Sequence, residues 1–365
     1  MLKRFIKGWY GNQSWAILEA PHIRADRTPT LKLTDIARLA GVSVTTASYV
    51  INGQAARRRI SPATVERVLA VVREQGYRPD QQAAGLRRGQ TRTLGFVIPD
   101  LENPSYARIA KLLEQRARER GYQLLIASSD DEPQTERQVL EVLRARRCDA
   151  LIVASCLPAD DDTYHRLLAG GLPVVAVDRA LDPRTFHSVV SDDHAAGRLL
   201  TGSLLQPPPR HIALIGARPA LPISQAREQG FREALAGYDG RISVRRAEQF
   251  SRECGRRAML ELLAADMPDA LVTTAYVLLE GVFDALRERA RLWPAGLRLA
   301  TFGDAQLLDY LPLPVNAISQ QHARIAERAL DVALRALEAD EYRPGVEAIE
   351  RRLCLRDRGL SPPAP

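Results

Sequence analysis

Cysteine is the first scarcity. The 365-residue chain has four, Cys148, Cys156, Cys254 and Cys354. They are scattered, with no C-x-x-C pair and no histidine at metal-ligand spacing. A disulfide scaffold and a zinc module are excluded, and reduced structural thiols are expected. No apolar run reaches the roughly 18 residues a membrane-spanning helix needs. The N-terminal segment MLKRFIKGWYGNQSWAILEA offers only Ala16-Ile17-Leu18 as an apolar patch, too short for a signal peptide. The phosphate loop G-x-x-x-x-G-K-[ST], the dinucleotide fingerprint G-x-G-x-x-G and the nucleophile elbow G-x-S-x-G are missing. The six histidines, His22, His165, His187, His194, His211 and His322, do not cluster. These absences predict a cytoplasmic protein with no catalytic residue, no metal site and no cofactor.

Charge is plentiful and unevenly placed. Charged residues make up 26% of the chain, hydrophobic ones 45%, and the net charge is +7. Residues 32–92 alone carry +7, residues 1–31 carry +3, and the remainder carries −3. A basic head on a mildly acidic body is the footprint of a nucleic-acid module joined to a globular partner.

The head is organised around Thr34 to Gly53, TDIARLAGVSVTTASYVING. The spacing predicts a first helix over Asp35 to Ala40, with Ile36, Leu39 and Ala40 on one face. Gly41-Val42-Ser43 breaks it. Gly41 takes positive φ cheaply, Val42 can plug the angle between helices, and Ser43 suits an N-cap. A second helix follows from Val44 to Ile51 and stops at Asn52-Gly53. Small Ala37 and Ala47 allow close approach. The pair fits a helix-turn-helix, whose second helix enters a DNA major groove, and also an αα-hairpin buried in a core. After a basic loop, Gln54 to Arg59, Ser61-Pro62 caps and opens a third helix. Val65, Val68, Leu69 and Val72 line its apolar face, and Gly76 ends it. Such a small unit is marginal by itself.

Residues 80–89, DQQAAGLRRG, can form a short helix that is also marginal alone. Leu86 is its single large apolar residue, next to Arg87 and Arg88. A leucine among arginines suits a wedge between minor-groove base steps. A plain linker with Leu86 docked on the body fits the same letters.

From Thr93 the pattern changes. TLGFVIP, QLLIAS, DALIVAS and PVVAVD alternate with helical segments near Tyr106–Arg120, Thr135–Arg147 and Asp161–Ala169. After Pro207-Pro208-Pro209 come HIALIG, a helix near Ser224–Leu235, DALVTT, LRLATFGD and VNAISQ. Alternating strand and helix predicts parallel sheet. Two such sets predict two lobes, with a ligand cleft outside the carboxyl ends of the strands. Asp100, Ser128, Ser155, Asp178, Gly216, Thr274 and Asp304 stand at those ends. Asp160-Asp161-Asp162 and Asp192-Asp193 read as helix-start acids favoured by the helix dipole. The expected organisation is α plus α/β. An extension of low order spans 1–31, a three-helix helix-turn-helix domain 32–79, and a hinge helix and linker 80–92. A two-lobed body with a ligand cleft spans 93–358, with a tail over 359–365.

From Leu31 onward the chain resembles the lactose-repressor family of bacterial transcription factors, and within it the fructose-repressor branch. The stretches that carry the likeness are KLTDIARLAGVSVTTASYVING, AAGLRRGQTR, PDLENPSYARIA, RGYQLLIASSDD and ATFGDAQLLDYL. They cover the head, the hinge and both lobes. The resemblance implies a body of periplasmic-binding-protein type and a DNA-binding regulator of sugar and central carbon metabolism, nucleoid-associated when DNA-bound. Members begin Met-Lys-Leu where this chain has Leu31-Lys32-Leu33, so the initiator is expected at Leu31 through an alternative codon. A basic arm carrying Lys3, Arg4 and Lys7 is the other reading of the extension.

For DNA, the resemblance assigns base reading to Val44, Thr45 and Tyr49 and the wedge to Leu86. Thr45 can hydrogen-bond a base edge and Val44 can meet a thymine methyl. Ser43, Thr46, Ser48, Arg57, Arg58, Arg59 and Arg87 are candidates for phosphate contacts, which set register. For the effector it implies Arg227 in SQAREQGF and Asp178 at the end of PVVAVD. Arg179, a feature of the fructose-repressor branch, suits phosphate through its planar fork. Ser105, Tyr106, Ser128, Ser155, Thr274 and Asp304 are further candidates. Plainer roles also fit, a helix N-cap for a strand-end Asp and a surface ion pair for Arg227. Thr274 and Gly303 stand where sugar-binding relatives carry Asn and Asp. A phosphorylated sugar, fructose 1-phosphate or fructose 1,6-bisphosphate, is therefore expected in preference to a free one. The expected partners are a near-palindromic double-stranded DNA operator and a second copy of the chain. The heptad tail of tetrameric relatives is missing, which favours a homodimer. An enzyme built on the α/β body and a transporter's solute-binding protein are the competing readings. The missing catalytic motifs oppose the first. The basic head and the short N-terminal apolar patch oppose the second.

Overall fold

The computed structural model describes residues 31–77, 90–289, 296–339 and 341–356. They fall into two compact units, one within residues 31–77 and one from residue 90 onward. The hinge residues Leu86 and Arg87, the extension over residues 1–30 and the tail lie outside the described residues.

The first unit has three helices, α1 (Leu33–Leu39), α2 (Val44–Ile51) and α3 (Pro62–Glu74). Ser43 caps α2 by accepting from the Thr46 amide at 3.1 Å, and Ser61 caps α3 by accepting from the Thr64 amide at 3.3 Å. Each satisfies one of the free amides of a helix start. Gly41 turns the chain between α1 and α2 at φ +63, where a Cβ would be strained. Ile36, Ala37, Ala40, Ala47, Val50 and Val68 form the buried centre, with Val42, Val65, Leu69 and Val72 packed around it. Leu39 differs from expectation. It is 46% exposed, because Ile36, Ala37 and Ala40 occupy the packed stripe and the helical rotation turns Leu39 outward.

The second unit consists of two lobes, each built on a six-stranded sheet. Lobe 1 holds β1 (Thr93–Ile98), β2 (Gln123–Ser128), β3 (Ala150–Val153), β4 (Val174–Val177), β5 (His187–Ser191) and β11 (Gly345–Ile349), in spatial order β11-β5-β4-β3-β1-β2. All its pairings are parallel. Lobe 2 holds β6 (His211–Ala217), β7 (Arg241–Ala247), β8 (Ala270–Thr273), β9 (Arg298–Phe302), β10 (Val315–Ser319) and β12 (Arg352–Cys354), in order β12-β10-β9-β8-β6-β7. Only β10–β12 is antiparallel. The central strands β3, β4, β6 and β8 are buried along their whole length. That is the environment their unbroken apolar runs require.

Helices α4 (Pro104–Glu119), α5 (Pro133–Ala145), α6 (Thr163–Ala169) and α11 (His322–Glu338) cover lobe 1. Helices α7 (Asp193–Gly202), α8 (Pro222–Ala234), α9 (Arg252–Ala265) and α10 (Tyr276–Arg289) cover lobe 2. The chain therefore crosses between lobes three times, at 191–193, 319–322 and 349–352. The sequence reading missed β5, β7, β11 and β12. β7 is an edge strand of sequence RISVRRA with exposed positions, so it lacks the apolar run of a central strand. β11, GVEAI, alternates exposed and covered positions instead of forming an apolar run, β12 has only three residues, and β5 carries His187 and two serines. All four cysteines are free. Burial, with Asp149 beside it, pushes the Cys148 thiol up to about 11. Burial and Glu136 push Cys156 up to about 12, so neither is a nucleophile near neutral pH. No described helix is long and apolar enough to cross a membrane.

Candidate DNA-reading face and interlobe effector site

On the head, Val44 and Thr45 are exposed at the first turn of α2. The Ser43 and Thr46 hydroxyls lie 2.8 Å apart in the cap. Ser48 Oγ sits 3.3 Å from Asn52 Nδ2. Arg57, Arg58 and Arg59 are all exposed on the loop after α2. The Arg58 guanidinium lies 4.6 Å from the centroid of the Tyr49 ring, a cation–π contact that fixes both side chains. Exposed hydroxyls at a helix start, an aromatic ring and three guanidiniums thus share one region of the head. This set can meet base edges and phosphates at once.

Between the lobes lies a cleft of about 1300 Å³ at the carboxyl ends of the parallel strands, where sheets of this kind hold ligands. Asp178 follows β4 and is buried. It accepts from the Tyr106 hydroxyl at 2.8 Å and from Gln320 Nε2 at 2.9 Å. Burial alone would raise its pKa, but Arg227, Arg351 and these hydrogen bonds outweigh burial and hold it below the ordinary value. Burial, with the Asp178 charge, drives the Tyr106 phenol well up, so Tyr106 stays a neutral donor. Arg227 on α8 donates through Nε to Asp193 at 2.8 Å and through an Nη to the Thr274 carbonyl at 2.9 Å. Its guanidinium also lies 4.8 Å from the Phe302 ring centroid. Close packing of α7 on α8 makes the Asp193 contact possible. A Cβ on Gly230 would collide with the His194 carbonyl oxygen, and one on Gly197 with that of Arg227.

Arg179 is buried beside Asp178, donating to Asp131 at 2.6 Å and to the Ser155 carbonyl at 3.3 Å. Ser105 Oγ bridges Gln320 Oε1 and His322 Nε2, each at 2.8 Å. Thr274 and Asp304 line the cleft as well, and Asp304 is held by Arg356 at 2.5 Å. Two candidates are not brought to the cleft lining. Ser128 Oγ turns to the Pro99 carbonyl and to Asp130. The Ser155 hydroxyl is taken by the buried Glu136 carboxylate. Both hydroxyls are spent on satisfying their own loops.

Among the residues at or just behind the cleft that escaped the sequence reading are Asp193, Gln320 and Arg351. All three sit at lobe crossovers, which no local pattern marks. Asp193 was read as a helix-start acid. It does open α7, but it is buried and also lies 3.0 Å from Arg351. Among the described residues that line the cleft, three groups are buried without a hydrogen-bond partner: Arg179 Nε, Arg351 Nε and the Thr274 hydroxyl. Each such group costs about 1–3 kcal/mol.

A basic three-helix head and a two-lobed α/β body with a charged cleft define a ligand-responsive DNA-binding regulator. Comparison with known proteins agrees. Residues 32–80 match the model of bacterial regulatory proteins of the lacI family. Residues 91–296 match that of periplasmic binding proteins and the sugar-binding domain of the same family. The chain is 49% identical to the fructose operon regulatory protein of Vibrio cholerae, over 89% of this chain and 100% of that one. It is 47% identical to the catabolite repressor/activator of Escherichia coli K12, over 89% and 98%. The crystal structure of the Cra transcriptional dual regulator from Pseudomonas putida in complex with fructose 1-phosphate matches with TM-score 0.70 and 61% identity, covering 73% of this chain and 98% of that one. The chain belongs to the lacI family of bacterial transcriptional regulators, and the relatives it matches include fructose-operon and catabolite regulators. It is a regulator and not an enzyme.

Proposed function

We propose that this protein represses or activates genes of sugar and central carbon metabolism in the cytoplasm, as a homodimer on a near-palindromic operator. A phosphorylated fructose, fructose 1-phosphate or fructose 1,6-bisphosphate, releases it. The observation that carries the effector reading is the trio of unpartnered buried donors, Arg179 Nε, Arg351 Nε and the Thr274 hydroxyl, in a cleft that also holds Asp178 and Arg227. Guanidinium forks suit phosphate oxygens, and the Asp178 carboxylate suits sugar hydroxyls. The likeness to a regulator crystallised with fructose 1-phosphate supports the same class of ligand.

On the head, Val44, Thr45 and Tyr49 read bases. Ser43, Thr46, Ser48, Arg57, Arg58 and Arg59 hold phosphates, and Leu86 with Arg87 serves as the minor-groove wedge and its anchor. The mechanism is linkage. Ligand in the cleft changes the relation of the lobes and draws the paired hinges apart. Effector and operator then oppose each other with a reciprocal coupling, typically about 1–3 kcal/mol. Both sugar phosphates are titrated against a labelled palindromic operator complex. Release by one of them at micromolar to millimolar concentration is expected. A complex that neither loosens rules out the effector.

A further inference from the structure

Arg218 has no part in the reading above, yet it ties the two lobes directly. It follows β6 in lobe 2, and its Nε lies 3.1 Å from Asp131 Oδ2. An Nη of Arg218 also donates to the Asp131 carbonyl at 3.0 Å. Asp131 follows β2 in lobe 1, and its other carboxylate oxygen accepts from Arg179 at 2.6 Å. One carboxylate thus serves two guanidiniums, one from each lobe. The Arg179 side chain is 8% exposed and that of Asp131 16%, so solvent screens their attraction little. Both residues line the cleft, and Arg179 still has a buried Nε without a partner. Arg218 also sits at φ +51, a backbone region that non-glycine residues other than Asn and Asp seldom adopt.

A carboxylate on a guanidinium has the same fork geometry as a phosphate on a guanidinium. We propose that Asp131 is a resident anion at the phosphate-binding arginine. The phosphate of the effector displaces its carboxylate from Arg179, and that displacement loosens the Asp131–Arg218 tie between the lobes. The inference rests on reading the cleft as a sugar-phosphate site. A phosphate brings about two negative charges to a cation that already carries one. It replaces the Asp131–Arg179 contact, but nothing replaces the Asp131–Arg218 contact. Occupancy of the cleft is thereby coupled to the orientation of the lobes through one carboxylate.

The test is calorimetric titration of full-length wild type, Asp131→Asn and Arg218→Gln with fructose 1-phosphate. Asp131→Asn removes the competing charge and keeps the shape, so it should bind roughly fivefold tighter or more. Arg218→Gln removes only the tie that binding loosens and leaves the competing carboxylate on Arg179, so it should tighten binding clearly less than Asp131→Asn does. Equal tightening in both variants would mean that the bridge merely restrains the lobes, and would overturn the proposal. Unchanged or weaker binding by Asp131→Asn would make Asp131 an orienting partner of Arg179, with the same consequence. If wild type ignores fructose 1-phosphate, the effector reading fails by itself. The pair is then titrated with inorganic phosphate, where tighter binding by Asp131→Asn supports the resident anion and its absence refutes it.

Discussion

Arg351 lies 3.0 Å from Asp193, and each side chain is only 4% exposed. The contact joins the third lobe crossover to the first, and the same Asp193 oxygen also takes Arg227 Nε at 2.8 Å. Burial lowers the Arg351 pKa even with Asp193 beside it, so this guanidinium depends on its carboxylate. Breaking a buried pair by removing one partner costs about 3–5 kcal/mol. Asp193→Ala should lower the thermal midpoint by roughly 10 °C in circular dichroism melts, with Asp193→Asn in between. An unchanged midpoint would mean that Asp178 takes over both arginines.

Thr274 makes a different kind of prediction. Its hydroxyl is buried and unpartnered, so Thr274→Val should stabilise the ligand-free protein by about 1 kcal/mol. Under the proposed function the hydroxyl donates to the ligand, so the same change should weaken effector binding. Thermal melts and titrations on the same variant give the two signs. A variant that is stabilised and binds the effector as wild type does would remove Thr274 from the site.

Arg179→Ala should lower affinity for the sugar phosphate by about 100-fold, the worth of two charge-assisted hydrogen bonds. Operator affinity without effector should survive, since Arg179 lies in the body and not in the head. Operator release by the sugar phosphate at wild-type concentrations in this variant would place the phosphate elsewhere.

His322 lines the cleft and contacts Ser105. Burial, with Arg351 and Arg108 nearby, lowers its pKa from 6.5 to about 4. Between these values the unfolded imidazole holds a proton that the folded one does not. Stability is therefore full above about 6.5 and falls as the pH drops toward 4. The loss is on the order of 2 kcal/mol, allowing for partial exposure. Asp178, held below 3.8, adds its own loss only at lower pH. The fall of urea midpoints across this range should be shallower in His322→Gln, with His211, whose pKa burial also lowers, keeping part of it. A slope that persists undiminished there belongs to another group.

On the head, the stacking of Arg58 on Tyr49 couples two separate roles. Tyr49→Ala should relax sequence preference. Arg58→Ala should weaken operator and random DNA alike and reduce the salt slope by about one. The double variant should lose less than the sum of the singles, by about 0.5–1 kcal/mol. Equal loss on operator and random DNA for Tyr49→Ala would remove it from base reading.

The sequence by itself determined the local elements. The Ser43 and Ser61 caps, the Gly41 turn and the unbroken apolar runs of β1, β3, β4, β6 and β8 are written in neighbouring residues, because capping, turn chemistry and strand burial act over a few positions. Asp178, Arg179 and Arg227 were legible through strand ends and family-like motifs. Leu39 was misjudged because the choice between adjacent helical stripes depends on what packs against them. The tertiary structure alone decided where three crossovers bring Asp193, Gln320 and Arg351 together, and that Asp131 faces both Arg179 and Arg218. Ion pairing and burial between residues so distant in the chain follow from how two sheets are wound. No local pattern encodes that winding.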